Sequence, residues 1–374
     1  PAAAPTVLLY AHYDVQPAPA DQGWTMQPWT PTIRDGRLYG RGAADDKSGI
    51  AMHAATLKAF QGAPPVHLKI VVEGEEETDS HLDEFVQAHP ELFAADVFVI
   101  ADGGNDKVGH PTICTALRGV AAVTVEVRTL KQAVHSGMFG GAAPDALVAL
   151  IRMLATLHDS AGDVAVAGLT TGEWDGAELS EEQLREMAGV LEGVGLVGSG
   201  SINSRLVSKP SVTVIGLDAP SVHGGVNALV PRARAKVSLR VPPGTDAQTE
   251  LDTLTSHLKT VAPWGVEVSF SDPSIGAAFA TRSDGPALAA ARSAMTRAYG
   301  RPAQDSGSGG SIPLLNTLQS LCPDGEFIVW GAEDAMAANI HSADESVDLT
   351  ELHHAALAQV LFLAQLGSTA PQSP

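Results

Sequence analysis

Residues 6–12 form a short, unbroken apolar run that ends in His12, and this narrows the fold more than any other stretch. A run without alternation is what a strand buried on both faces requires. Two more strand-like segments follow, residues 66–72 and 96–101. The first leads into Glu73-Gly74-Glu75-Glu76-Glu77 and the second into Asp102-Gly103-Gly104. Helix-like spacing lies between them, in Ile50, Met52, Ala55, Leu57 and Phe60, then in Leu82, Phe85 and Val86. Strand, helix, strand, helix, strand predicts a parallel sheet with helices on its faces, a doubly wound α/β domain. Ligands of such sheets bind beyond the carboxyl ends of the strands. His12, Glu76, Glu77 and Asp102 all fall there.

The pattern then changes. Residues 120–127 alternate like a half-exposed strand, and residues 144–157 read as a helix with Pro144 near its first turn. Strands are expected over 211–217 and 233–241, a helix over 247–261 and a strand over 266–271. That order is β-α-β-β-α-β, a ferredoxin-like unit, with a polar insertion over 159–210 that holds one acidic helix, 180–191. From about residue 287 the doubly wound pattern resumes, with helices at 286–299 and 349–366, a strand at 326–331, and Gly307-Ser308-Gly309-Gly310-Ser311 opening a further helix. The reading is a catalytic domain in two parts, 1–118 and 284–374, interrupted by a smaller domain, 119–283.

Composition supports two domains and removes some partners. The chain has 374 residues and 44% hydrophobic content, enough for real cores. Its 23 basic and 43 acidic residues give a net charge of −20, which argues against nucleic acid or an anionic membrane surface. Cys114 and Cys322 are too few for a disulfide framework and point to a reducing, cytoplasmic setting. No apolar run approaches bilayer length. Residues 1–5 do not read as a signal peptide. A strand so close to the first residue suggests missing upstream sequence, and residues 367–374 read as a disordered tail.

The strand ends carry the chemistry. His12 and Asp14 form an H-x-D pair whose side chains point the same way on an extended segment. His12 serves either as a buried hydrogen-bonded histidine or as a metal ligand oriented by Asp14. In Gly40-Arg41-Gly42-Ala43-Ala44-Asp45-Asp46-Lys47-Ser48-Gly49 two carboxylates meet the start of a helix, either as caps or with Asp45 bridging two cations. The acidic run 73–77 is either a solvated loop or a pair of tasks, in which one Glu ligates and its neighbour deprotonates water. Gly103 and Gly104 would let backbone pass close to a bound ion. With His341 the candidate set is His12, Asp45, Glu77, Asp102 and His341. Two histidines and three carboxylates without a thiolate suit two zinc ions, or manganese or cobalt. Cations about 3.5–4 Å apart can clamp a hydroxide and polarise an amide carbonyl.

These motifs, with His12-Tyr-Asp-Val-Gln-Pro17, Val134-His-Ser-Gly-Met-Phe-Gly-Gly141, Gly309-Gly-Ser-Ile-Pro313 and Ile340-His-Ser342, resemble the carnosinase-like dipeptidase branch of the co-catalytic zinc peptidase clan. That clan also holds carboxypeptidase G, aminoacylase and succinyl-diaminopimelate desuccinylase. The resemblance spans nearly the whole chain. It implies a two-metal catalytic domain with an inserted ferredoxin-like lid that dimerises. His12 and Asp102 would hold one metal and Glu77 and His341 the other, with Asp45 between them. Glu76 would be the general base, Asp14 would orient His12, and the bond after Asp45 would be cis. His135 would act from the partner subunit on the oxyanion. Asn227 and Arg240 match substrate-contacting positions, and Gly310 and Ser311 would meet the same peptide carboxylate as Arg240. Two features depart from the pattern: a helical segment expected ahead of the first strand, and Asp79 where relatives often carry Gly.

The resemblance implies a dipeptidase. An N-acyl-amino-acid amidohydrolase of the same clan has the same chemistry. A binding protein without turnover is disfavoured by the complete set of ligands and base.

Overall fold

The structure, a computed structural model, describes residues 4–369 except 79, 283 and 311. Its larger sheet runs Phe279–Ala280, Thr112–Leu117, Glu326–Val329, Val97–Ile100, Thr6–His12 and His67–Glu73, with Gln304–Ser308 also pairing Thr112–Leu117. Thr6–His12 lies parallel to both His67–Glu73 and Val97–Ile100, and Glu326–Val329 is parallel to Val97–Ile100. Only pairings made by Thr112–Leu117 with Glu326–Val329 and Phe279–Ala280 are antiparallel. This is a mixed α/β fold with a mostly parallel central sheet.

The continuous apolar run of Thr6–His12 serves two layers. Val7 and Leu9 pack into one core with Met52, Ala291, Trp330 and Phe362. Leu8 and Tyr10 enter another with Val86, Phe98, Leu315 and Phe327. The helices Lys47–Ala59, Pro286–Tyr299 and Leu349–Thr369 therefore cover one face, and Leu82–Ala88 and Pro313–Leu321 the other. Phe98 and Phe327 stack at 4.6 Å between centroids, and Trp330 meets Phe362 edge-on at 5.4 Å.

A second sheet is wholly antiparallel, in the order Ser211–Asp218, Arg232–Val241, Gly119–Arg128, Glu267–Gly276. Helices Ala146–Ala155 and Ala247–Thr260 pack on it, burying Leu150, Met153, Leu251 and Leu254 against Val123, Val125, Val237 and Leu239. Residues of Arg232–Val241 alternate between exposed and buried, as a one-faced strand must. The acidic helix of the long insertion is Glu181–Ala188, started by a capping box from Ser180 and Gln183.

Several elements differ from the sequence reading. Thr112–Leu117 and Gln304–Ser308 form strands outside the sequence reading: the first buries Ile113, Cys114 and Leu117 inside the sheet, and the second, polar in sequence, pairs with it through its backbone. A Cβ on Gly104 would sit 2.1 Å from the Glu333 carbonyl oxygen, so the glycine allows two backbones to meet. Asp79 and Ser311 lie outside the described residues. Among the described residues no helix is long and apolar enough to cross a membrane.

Candidate functional site

Strand register assembles the site. His12 pairs with Glu73 where both strands end, and Ile100 pairs with Tyr10, so that Asp102 follows two residues after Ile100 as His12 follows Tyr10. His12 is fully buried there. Its Nε2 lies 2.8 Å from Asp45 Oδ1, while Asp45 Oδ2 lies 2.9 Å from His341 Nε2. His341 Nε2 is also 3.1 Å from Glu77 Oε1. Ligand atoms of His12, Asp45 and Asp102 converge within 4.8 Å of one another, and so do those of Asp45, Glu77 and His341. Asp45 belongs to both groups. The five residues, spread from position 12 to position 341, thus form one cluster.

The paired aspartates divide their work. Asp46 caps the helix Lys47–Ala59, its Oδ1 accepting from Gly49 N–H at 3.1 Å and its Oδ2 from His12 N–H at 3.1 Å. That leaves Asp45 to face the histidines. The Asp45–Asp46 peptide bond is cis.

The acidic run divides in four. Glu73 is buried, accepting from Tyr10 Oη at 2.6 Å and from Ser80 Oγ. Glu75 faces solvent and pairs with His81. Glu77 joins the cluster, with Gln16 Nε2 donating to its Oε2 at 2.9 Å. Glu76 belongs to neither three-residue group. It lines a cavity of about 340 Å³ with Tyr10, Thr78, Asp83 and Ile312. Asp14 lies 3.3 Å from His12 Nδ1, and it also accepts the N–H groups of Glu76 at 3.3 Å and Glu77 at 2.9 Å. It thereby aims the histidine and the two glutamates together.

The electrostatics show what is unbalanced. Burial, then the charges of Asp45 and Glu76, push the Asp102 carboxyl up to about 7. Burial and the charges of Asp102 push Asp46 and Glu333 far above the carboxylate range. Glu76 rises through burial, opposed by His12 and helped by Glu77 and Asp45. Burial would lower His12, yet the Asp45 hydrogen bond and the charge of Asp102 lift it to about 9. Burial would raise Asp45, but the hydrogen bond and charge of His12, then His341, hold it low. So many carboxylates crowded together repel each other unless cations neutralise them. The donor set, two imidazoles and three carboxylates split around a shared Asp, fits two borderline divalent cations.

The remaining sequence candidates lie on the second sheet or near it. His135 is exposed on a short ribbon in which Ala228 pairs opposite it, and its Nδ1 accepts from Gly137 N–H at 3.1 Å. Asn227 adjoins it, its carbonyl accepting from Ser136 N–H at 3.0 Å. Neither is described in contact with the histidine–carboxylate cluster. Arg240 is half-buried opposite Val120. Gly310 N–H donates to Ser308 Oγ at 3.1 Å, two residues before the Ile312 that lines the Glu76 cavity.

Sequence reasoning missed Arg118, at the junction of Thr112–Leu117 and Gly119–Arg128. Its guanidinium is buried and donates to the Lys209 carbonyl, while its Nε has no partner among the described residues. Burial and then the charge of Arg240 press it down to about 10. Neither arginine has a described acid partner, in a chain of net charge −20. The only available signal was a basic residue between two strand-like segments. Gln16 was also missed, although it stands inside the His12 motif, and so was Glu345.

A model of peptidase family M20/M25/M40 matches residues 8–365. A cysteinylglycine-S-conjugate dipeptidase from Corynebacterium striatum is 43% identical over 372 residues, 97% of this chain and 82% of that protein. A β-Ala-His dipeptidase from Mus musculus is 32% identical over 273 residues, which cover 69% of this chain and 56% of that protein. The crystal structure of human carnosine dipeptidase 1 matches with a TM-score of 0.76 at 25% identity, over 98% of this chain and 80% of that one.

Proposed function

The chain belongs to peptidase family M20/M25/M40 and is a hydrolase, and we propose that it is a two-metal dipeptidase. One observation carries the reading: Asp45 presents one oxygen to the His12 group and the other to the His341 group. His12 and Asp102 would hold one cation, Glu77 and His341 the second, and Asp45 would bridge. Zinc suits the donors, and manganese or cobalt would be accommodated. When bound, the cations would supply Lewis acidity to water and to the scissile carbonyl.

The protein's own groups do the rest. Glu76, free of the ligand groups and open to a cavity, accepts the proton of the attacking water and returns it to the leaving amine. Asp14 fixes the Glu76–Glu77 backbone and the His12 ring. Arg240, with Gly310 and Ser311, receives the free carboxylate of the peptide, since a guanidinium and a carboxylate match bidentately. The acid-free neighbour Arg118 supports an anionic ligand at that place.

The antiparallel sheet and its two helices form an inserted ferredoxin-like lid, 119–283, between catalytic segments 1–118 and 284–374. The separate core of that sheet supports the division. The lid also pairs two copies of the chain. Its edge strand Ser211–Asp218 exposes Val214, Ile215 and Leu217, which supports pairing. His135 and Asn227 then reach the partner's site, and His135 stabilises the oxyanion there.

The test is a panel of dipeptides and N-acyl amino acids assayed with added zinc or manganese. Release of amino acids from dipeptides alone supports the reading; turnover confined to acyl substrates replaces it with an amidohydrolase. Sedimentation of wild type and edge-strand variants tests the pairing, and a fully active monomer removes His135 from the mechanism.

A further inference from the structure

We propose that Glu345 is a positioning residue that sets the bridging Asp45 against His341, and so governs the affinity for both cations; this rests on the two-metal reading. Glu345 is buried. Its Oε1 accepts the N–H groups of Ala44 at 3.1 Å and Asp45 at 3.2 Å, and its Oε2 accepts Gly42 N–H at 3.0 Å. Arg41 Nη1 donates to the same Oε2 at 2.7 Å, and the Glu345 carbonyl accepts Gly40 N–H at 2.9 Å. One carboxylate therefore gathers the whole turn that presents Asp45.

Glu345 stands four residues after His341, so the same contacts tie the two ligand loops to each other. A second set closes the ring. Arg41 Nη2 donates to Gln22 Oε1 at 3.1 Å, and Gln22 Nε2 donates to the His341 carbonyl at 2.8 Å. The Arg41 guanidinium also lies 5.1 Å from the Trp24 ring centroid. Asp344 accepts the N–H groups of Thr25 and Met26, each at 2.9 Å. Three loops, around residues 22–26, 40–45 and 341–345, are thus locked about Glu345. Asp45 is shared, so a shift of its turn disturbs both three-residue groups at once. Partners that orient ligands from behind change metal affinity by roughly 10- to 100-fold when replaced.

A glutamine at this position can accept through one oxygen only, so it leaves either the Ala44 and Asp45 N–H groups or the Gly42 N–H and Arg41 unmatched. The experiment titrates zinc into the chelator-stripped protein against a chromophoric competitor, for wild type, Glu345→Gln, Glu345→Asp and Glu250→Gln. Glu345→Asp keeps the charge but withdraws the oxygens by one methylene, and it serves if the glutamine variant does not fold. Glu250 is the control: it is a buried carboxylate on the helix Ala247–Thr260 over the second sheet, and it accepts from Thr170 N–H at 3.0 Å and Thr170 Oγ1 at 2.6 Å. Both Glu345 variants are expected to bind both cations roughly 10- to 100-fold more weakly, with Glu250→Gln at wild-type affinity. Unchanged affinity in the Glu345 variants, or an equal loss in Glu250→Gln, overturns the proposal. A wild-type protein that binds fewer than two cations overturns the two-metal reading instead.

Discussion

Replacing Glu76 with Gln isolates proton transfer from metal binding, because Glu76 belongs to neither of the converging groups. Glutamine keeps the size and removes only the capacity to accept a proton. A positioned general base contributes roughly 10²- to 10⁴-fold, which at about 1.36 kcal/mol per decade is about 2.7–5.4 kcal/mol of barrier. The loss should appear in kcat with KM little changed, since proton transfer belongs to the transition state. The structure adds a second expectation. Glu76 stands among the carboxylates of Glu73, Asp45 and Glu77, and its charge helps to raise both Asp102 and Tyr10. Removing that charge relieves repulsion, so the chelator-stripped variant should melt at or above the temperature of stripped wild type. The assay is steady-state dipeptide hydrolysis with metal content measured on the same sample. Turnover within tenfold of wild type, or loss of cations along with activity, would refute the assignment of the base.

Arg240→Met should lower kcat/KM for dipeptides by roughly 10- to 100-fold, the loss of a hydrogen bond to a charged group, while dipeptide amides change little. An equal loss on both substrates would rule out carboxylate recognition. Phe327→Ala should cost about 3–5 kcal/mol in urea denaturation, because Phe327 is fully buried between Phe98, stacked at 4.6 Å, and Phe279, edge-on at 5.7 Å; a cost below about 1 kcal/mol would contradict that packing. His53 is buried, with Nε2 3.0 Å from the Tyr10 carbonyl, and burial lowers its pKa from the ordinary 6.5. The unfolded chain then binds the proton more readily. This contribution to stability is complete above pH 6.5 and shrinks as pH falls toward the folded-state value. His53→Gln should therefore lose less stability than wild type between neutral pH and pH 5, read from denaturation midpoints; parallel curves would show that His53 is not the group titrating.

Much of the larger sheet and its helices follows from local pattern. Residues 6–12 read as a doubly buried strand and are one, and Pro286–Tyr299 is bounded as its Pro and following Gly300 dictate. The five candidate ligands were legible because strand ends carry functional groups in parallel sheets, and because the motifs around them resemble a known clan. The strands Thr112–Leu117 and Gln304–Ser308 were not legible. Backbone hydrogen bonding to a neighbour stabilises them, and the polar Gln304-Asp-Ser-Gly-Ser308 carries no trace of that neighbour.

The order of the elements and the residue types at the strand ends were thus determined by the sequence alone, since hydrophobic periodicity and turn chemistry are local. Tertiary structure decided which acid does which task. Register set His12 level with Glu73, the helix start claimed Asp46 and left Asp45 free, and Glu345 reached back across some three hundred residues to hold that turn. Those outcomes depend on distances between segments remote in sequence, and no window of neighbouring residues contains them.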